Sequence, residues 1–403
     1  MIIVVGGGAS GSLCAYKLKE KGLDVLLIEK NNAIGKKINI TGKGRCNLTN
    51  DCNEKEFIEN IVRNGKFLYS SINTFSSKDT MNFFESKGVF LEITRGNRVF
   101  PKSMDARDIS NALYKALKSV GVNIHFEEEV INITKENDIF KVITNKATYV
   151  ADKVIIATGG KSYPLTGSTG DGHKFAKSFS HTVTDLVPGL CGLRIKDEID
   201  SKLFKYTIKN VTMIAKTPNH EFKEFGDITF YKGLIAGPIA LTLSSLINRI
   251  NPNDVELSVD FKPALSFDQL DKRLIREVQN VKNNTIEDIL KTLLPTELIP
   301  WFAKVSSIKL ENNIKQLSKE NREYILNCLK NFKINYDGLD DISRATVTSG
   351  GVDIKEINSS TMESKLVKNL YFIGEIIDVD AFTGGFNLQI AFSTAATLAA
   401  NIE

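Results

Sequence analysis

The first thirty residues constrain this chain more than any other stretch. Residues 2–5 form a short apolar run that breaks into Gly6-Gly7-Gly8-Ala9-Ser10-Gly11. An amphipathic stretch follows to Gly22, and a second apolar run, 25–28, ends in Glu29. Strand, glycine turn, helix, strand and acid in that order make the fingerprint of a dinucleotide-binding βαβ unit. Gly6 allows the tight turn, Gly8 lets backbone approach a pyrophosphate, and Gly11 lets the helix pack on its strand. The helix N-terminus presents unpaired N–H groups and a positive dipole end to phosphates. Glu29 stands where a carboxylate accepts hydrogen bonds from an adenosine ribose. The alternative is a glycine turn that serves packing alone.

A chain of 403 residues has room for two or three domains, and 42% hydrophobic with 25% charged residues is ordinary globular composition. The formal net charge of +4 is small and argues against binding nucleic acid through bulk electrostatics. The longest apolar region, 234–247, is too short to span a bilayer and contains Gly237 and Pro238. A nucleotide fold beginning at residue 2 leaves no space for a targeting peptide. These features predict a cytoplasmic protein with a small-molecule substrate, no nucleic-acid partner and no membrane; they leave the oligomeric state open. The five cysteines form no CxxC pair, which removes the usual redox-active disulfide of thiol-reducing flavoproteins. The four histidines, at 125, 173, 181 and 220, are not paired at metal spacing, so no metal site is expected.

Several separated segments read as one discontinuous nucleotide domain. Short strands are expected at 123–126, 139–144 and 147–150, and a buried strand at 152–157 runs into Thr158-Gly159-Gly160. Another apolar strand, 369–373, precedes Gly374-Glu375, and an alanine-rich helix, about 388–400, closes the chain. The middle differs. Alternation at 203–216 and 254–260 suggests a small β unit. Ser266-x-x-Gln269 and Thr285-x-x-Asp288 then resemble helix starts, and the helical pattern lasts to about 332. The boundaries drawn are 1–187, 188–265 with a return strand near 331–345, 266–330 for a helical insert, and 346–403 for the return to the nucleotide domain.

Three further glycine-rich stretches carry chemistry. Gly35–Asn50 reads GKKINITGKGRCNLTN. Backbone at Gly42 and Gly44 can approach a phosphate-bearing cofactor, and Arg45 suits a pyrophosphate or an anionic substrate. Cys46, with no histidine near it in sequence, fits a buried small residue better than a nucleophile. Thr158–Gly172 reads TGGKSYPLTGSTGDG, a close-approach loop; the competing reading is a multi-turn connector. Gly374–Leu388 reads GEIIDVDAFTGGFNL and opens the final helix. Its N-terminus can stabilise negative charge on a reduced isoalloxazine ring. Four such sites spread from end to end fit a long cofactor, FAD, better than the contiguous Rossmann half of a simple NAD dehydrogenase.

These stretches, with RVFPKS and VTSGGVDIKEINSSTMESK, resemble a family of bacterial flavoproteins that includes aminoacetone oxidase and a bile-acid 4,6-reductase. The family is often labelled NAD(P)/FAD-dependent oxidoreductase. The resemblance implies an α/β fold: a glutathione-reductase-type, Rossmann-like FAD domain with an inserted β-barrel and a helical cap. Carried over by motif, Gly6, Gly8, Ala9, Ser10, Gly11, Glu29 and Lys30 would hold the ADP half. Lys37, Thr41, Gly42, Arg45, Cys46 and Asn47 would line the flavin side. Thr158-Gly159 and Gly374-Glu375 would flank phosphates and ribityl, Gly385, Asn387 and Leu388 would sit at the ring, and Val130 would meet the adenine. Tyr163 and Thr383 are candidate substrate contacts. One departure stands out: where relatives carry Thr-His in the barrel, this chain has Tyr231-Lys232. Lys232 is therefore a third candidate substrate contact, or else a solvated lysine.

The activity implied is hydride transfer at flavin N5, with NAD(P)H as a transient donor and an activated C=C bond as acceptor. The rival within the class is oxidation of an amine or aminoketone by oxygen. Rivals of other classes are a flavoprotein acting on RNA and a non-catalytic FAD sensor. No residue is singled out as a catalytic acid or base.

Overall fold

The computed structural model describes residues 1–279, 285–313 and 318–402. By its internal contacts the chain divides into two units, Met1–Gly189 with Ile342–Glu403, and Leu190–Asp341.

The first unit is built on a parallel five-stranded sheet. Its elements are β1 (Ile2–Val5), α1 (Ala9–Glu20), β2 (Val25–Ile28), α2 (Arg107–Ser119), β3 (Asn123–His125), β4 (Lys153–Ile156), α3 (Asp171–Ser178), β5 (Leu370–Phe372) and α4 (Phe386–Asn401). The strand order is β5-β4-β1-β2-β3, with registers such as Val4↔Leu27, Val4↔Ile155 and Ile156↔Phe372. Both faces of such a sheet are covered, so its strands are unbroken apolar runs rather than alternating ones. Ile3, Val4, Leu27, Ile155 and Phe372 are accordingly buried. The last helix packs on α1 and is buried nearly all round, from Phe386 to Ala399. It begins two residues before the expected 388, because Gly385, at φ +99°, forms its N-cap.

A three-stranded antiparallel sheet joins Val130–Glu136, Ile139–Thr144 and Thr148–Ala151. The first of these strands was not expected from the sequence. Nor were the short helices Glu54–Glu59 and Ser77–Ser86, although each starts on a capping box, Asn53 with Glu56 and Ser76 with Asp79.

The second unit carries a seven-stranded antiparallel sheet that includes Thr207–Lys216, Glu221–Tyr231, Leu234–Ala236 and Glu256–Asp260. Its edge strands, Phe332–Ile334 and Tyr336–Leu339, are consecutive in the chain. The 203–216 alternation starts late as a strand, since Ser201–Leu203 is a 3-10 turn. Helices Phe267–Val278, Ile286–Leu293, Ile299–Val305 and Lys319–Lys330 belong to this unit. Parts of the expected helical insert, 280–284 and 314–317, lie outside the described residues. Leu270, Leu274, Ile289, Leu290 and Trp301 join its core. The apolar region 234–247 resolves into a short strand and the helix Pro238–Ile247. No helix of the described residues is long and apolar enough to cross a membrane.

Candidate cofactor site

The β1–α1 turn is shaped by close approach. A Cβ on Gly11 would stand 1.9 Å from the Gly6 carbonyl oxygen, and one on Gly6, at φ +105°, 2.6 Å from the Ala157 oxygen. Gly8 is different: nothing lies within 4 Å of where its Cβ would be. It is the N-cap of α1, in extended conformation, with no side-chain cap and no acid in the first turn. The N-terminal donors of a twelve-residue helix thus face an open position, which suits an anion.

Glu29 is buried beneath this turn. Its Oε2 accepts from the Gly7 N–H at 2.7 Å, and its Oε1 accepts from the Asn31 N–H at 2.8 Å and the Asn31 amide at 2.6 Å. The carboxylate therefore first fixes the glycine turn; Oε1 already accepts two hydrogen bonds, and Oε2 keeps a second lone pair for a further donor. Lys30 Nζ lies 2.7 Å from Asp171 Oδ2 and 2.5 Å from Thr169 Oγ1. Burial pushes the Asp171 carboxyl up, but the Lys30 and Thr169 hydrogen bonds outweigh it and hold it below the usual range. Val130 is buried two residues after Glu128, whose N–H donates to the Glu29 carbonyl at 3.1 Å.

The 35–47 loop is tied to the same turn by the Gly35 N–H, 2.9 Å from the Gly7 oxygen. Within it Gly42, Lys43 and Cys46 adopt positive φ. Lys37 Nζ donates to Ser162 Oγ at 2.6 Å and to both Glu375 oxygens at 2.9 and 2.7 Å. The Thr348 N–H also donates to Glu375 Oε1, at 2.9 Å. Lys37, Ser162, Thr348 and Glu375 thereby join four distant segments at one point. Arg45 is exposed, its guanidinium 5.4 Å from the centre of the Phe100 ring. Thr41 is engaged locally, its Oγ1 donating to the Ile38 oxygen at 2.7 Å. Cys46 is buried, and burial pushes its thiol up to about 12, so it is no nucleophile at neutral pH.

The third and fourth glycine stretches close on the first two. Gly160 leaves no space for a side chain, since a Cβ would lie 2.4 Å from Thr348 Oγ1. Thr158 Oγ1 is buried with no hydrogen-bond partner among the described residues. Tyr163, at φ +52°, and Thr383 are both exposed on loops. Gly159, at φ +72°, sits between Ser168 and Glu375; a Cβ there would be 2.8 Å from Ser168 Oγ. At the end of β5, a Cβ on Gly374 would be 2.5 Å from Ser10 Oγ, so this strand end meets the first turn of α1. A Cβ on Gly385 would be 2.3 Å from the Thr49 oxygen, and α4 starts with no side-chain cap and no acid in its first turn.

Asn47 bridges the second stretch to the fourth. With its amide oriented to satisfy both neighbours, Oδ1 accepts from the Gly385 N–H at 3.1 Å and the amide donates to the Thr49 oxygen at 3.2 Å. Asn387 is spent on its own loop: Oδ1 accepts from the Ala381 N–H at 3.0 Å and Nδ2 donates to the Ala381 oxygen at 2.8 Å. Leu388 is half-buried against the core. Lys232 belongs to the second unit, exposed on the turn between Glu221–Tyr231 and Leu234–Ala236.

Sequence reasoning missed one prominent pair. Arg63 Nε and a terminal guanidinium nitrogen hold the buried Asp378 carboxylate at 2.5 and 2.8 Å, and Asn64 Nδ2 donates to the Asp378 carbonyl at 2.6 Å. Beside them Ser349 Oγ donates to Asp380 at 2.8 Å. The pair fastens the 378–382 segment to 60–64, where Asp380 also pairs with Arg63 as a strand partner. Nothing in the residues around Arg63 signals a partner 315 positions away.

Two uncapped helix N-termini, an orphaned Thr158 hydroxyl and a line of glycines that admit no Cβ fit an extended, phosphate-bearing cofactor. Among the described residues no cluster of His, Cys, Asp and Glu could hold a metal.

A 3-dehydro-bile acid delta(4,6)-reductase of Clostridium scindens is 28% identical over 97% of this chain and 96% of its own length. A ribosomal RNA dihydrouridine synthase of Escherichia coli is 28% identical over 98% and 95%. In fold the chain is similar to a 3-ketosteroid-delta4-(5alpha)-dehydrogenase from Rhodococcus jostii, with a TM-score of 0.52 at 12% identity over 100% of this chain and 96% of the other. The family described as HI0933-like protein Rossmann domain matches residues 1–401. The chain belongs to this HI0933-like family of Rossmann-type, FAD-binding proteins and is an FAD-dependent oxidoreductase.

Proposed function

We propose that this enzyme reduces a carbon–carbon double bond conjugated to a carbonyl, with NAD(P)H as the electron donor. The observation that carries the reading is chemical. Two relatives matching almost the whole chain are named for different substrates, a 3-dehydro bile acid and a uridine in ribosomal RNA. Both names describe adding hydrogen across a double bond beside a carbonyl. FAD, when bound, would supply the hydride chemistry that these reductions share.

The chain supplies binding and charge. Gly6, Gly8 and Gly11 with the α1 N-terminus would take the pyrophosphate, and Glu29 an adenosine hydroxyl. Gly159, Gly374 and the Lys37–Glu375 pair would flank the ribityl. Gly385, Asn47 and the α4 N-terminus would face the ring, where the helix end favours negative charge. Cys46 contributes volume and no thiolate.

Anaerobic mixing tests the reading. NADH or NADPH should bleach the yellow holoenzyme, and a small enone should restore the colour without oxygen. Bleaching by an amine or aminoketone alone, with recovery only in air, would establish the oxidase instead.

A second reading places the double bond in a nucleobase of RNA. It is favoured by the Escherichia coli relative and by a second dihydrouridine synthase, from Haemophilus influenzae, 27% identical over 100% of this chain. Dihydrouridine in an RNA treated with the reduced enzyme would support it; unmodified RNA alongside a turned-over enone would refute it.

A further inference from the structure

One cavity of the first unit lies outside the cofactor constellation. It measures about 480 Å³ and is lined by 87–90, by Lys102 and Ser103, and by Asp108, Asn111, Ala112 and Lys115 along one face of α2. Its apolar lining comes from buried Val89 and Ala112, and Phe90 stands beside them with 79% of its surface exposed. The lining carries three ammonium groups against one carboxylate. Lys87 is engaged, its Nζ donating to the Tyr16 hydroxyl at 3.0 Å and lying 4.8 Å from the centre of that ring. Lys102 and Lys115 are exposed and form no ion pair among the described residues. Asp108 accepts from Ser103 Oγ at 2.6 Å.

An exposed aromatic ring next to unpaired cations is what a single strand of nucleic acid uses: phosphates meet the ammonium groups and a base stacks on the ring. Position supports this. The other side of α2 is fastened to the 35–47 loop, through Ser110 Oγ to Asn39 Oδ1 at 2.8 Å and through the Ala106 N–H to the Gly44 oxygen at 2.8 Å. Helix α2 therefore stands between the cavity and the loop that would line the flavin side. The small net charge of the whole chain does not bear on so local a cluster.

We infer that this cavity grips one nucleotide of a single-stranded RNA, its phosphate on Lys102 and Lys115 and its base on Phe90. The inference rests on the nucleobase reading above and adds to it the place where the strand is held.

Fluorescence anisotropy of a short labelled oligouridylate with the holoenzyme tests it. The double variant Lys102→Ala/Lys115→Ala should bind more weakly and lower the slope of log affinity against log salt by about 0.7, from the one phosphate no longer neutralised. Phe90→Ala should weaken binding about tenfold and leave the slope unchanged. Free uridine monophosphate should displace the oligonucleotide only at far higher concentration than the unlabelled strand does, and reoxidation of reduced enzyme by a small enone should be unaltered in all variants. Variants that bind like the parent, or displacement by free nucleotide as effective as by the strand itself, would overturn the assignment. Binding that maps to these three residues while no dihydrouridine forms would overturn the nucleobase reading and leave the grip intact.

Discussion

Lys37 and Glu375 are 338 positions apart, yet the Lys37 ammonium lies 2.9 and 2.7 Å from the two carboxylate oxygens of Glu375. Both side chains are about 22% exposed, so the pair is only partly screened by water. Removing one member leaves a half-buried charge facing groups arranged for its partner. Lys37→Met should cost about 2 kcal/mol in unfolding free energy. The double variant Lys37→Met/Glu375→Gln should cost less than the sum of the single changes by about 1 kcal/mol or more. A denaturant double-mutant cycle measures this, and strict additivity would show that the pair does not couple the two ends of the chain.

Gly8 and Gly11 stand three residues apart but should fail differently. Alanine at Gly11 puts a methyl 1.9 Å from a carbonyl oxygen and must push α1 off the sheet. A loss of about 3 kcal/mol and of bound flavin is expected. Alanine at Gly8 meets nothing within 4 Å and suits the extended backbone there. Gly8→Ala should keep the Tm of the apoprotein and weaken FAD binding about tenfold or more, by occupying the space the pyrophosphate needs. Thermal scans of apoprotein and flavin titrations, run on both variants, separate packing from binding.

The Arg63–Asp378 pair makes a stronger demand on folding. Asp378 is 2% exposed and its carboxylate takes both hydrogen bonds from one guanidinium. Arg63→Met should destabilise the protein by about 3 kcal/mol, because a buried charge loses its bidentate partner. Arg63→Lys should recover part of this loss and not all, since an ammonium cannot reproduce the fork. Urea midpoints of the two variants check the order.

His173 makes stability depend on pH. Burial outweighs the opposing charge of Glu375 and lowers its pKa from the ordinary 6.5 to about 4. The unfolded chain therefore binds a proton between these values that the folded chain refuses. Stability is full above pH 6.5 and is lost as pH falls toward 4, by at most about 3 kcal/mol from this group. Burial lowers His181 as well, so it adds a slope of the same sign. His173→Leu should flatten part of the curve across this window; an unchanged slope would show that His173 is protonated in the folded state.

The parallel sheet was legible because its strands are continuous apolar runs ended by glycine, a pattern set by burial on both faces. Glu29, Gly6 and Gly11 were legible because their contacts are local to one βαβ unit. The start of α4 was placed late because Gly385 and Asn387 read as loop until the N-cap geometry is known. No helix or strand is read from 51–122, although α2 carries apolar residues at 109, 112, 113, 116 and 117. What no inspection of neighbours yields is the tertiary wiring: Arg63 with Asp378, Lys37 with Glu375, and Asn47 with Gly385. Each joins a residue to a partner hundreds of positions away, and only folding sets that distance. Asn387 and Lys30 likewise hydrogen-bond to partners that the sequence does not reveal, Ala381 and Asp171.

The four dispersed glycine stretches are proposed to cradle one FAD. Titrating cofactor-stripped protein with FAD, followed by flavin absorbance and by release of the nucleotide on denaturation, tests it directly. A yellow protein with one FAD per chain is expected, with greatly weakened binding in Gly8→Ala at unchanged apoprotein stability. A protein that stays colourless at saturating FAD, or a Gly8→Ala variant that binds as the parent does, would contradict it.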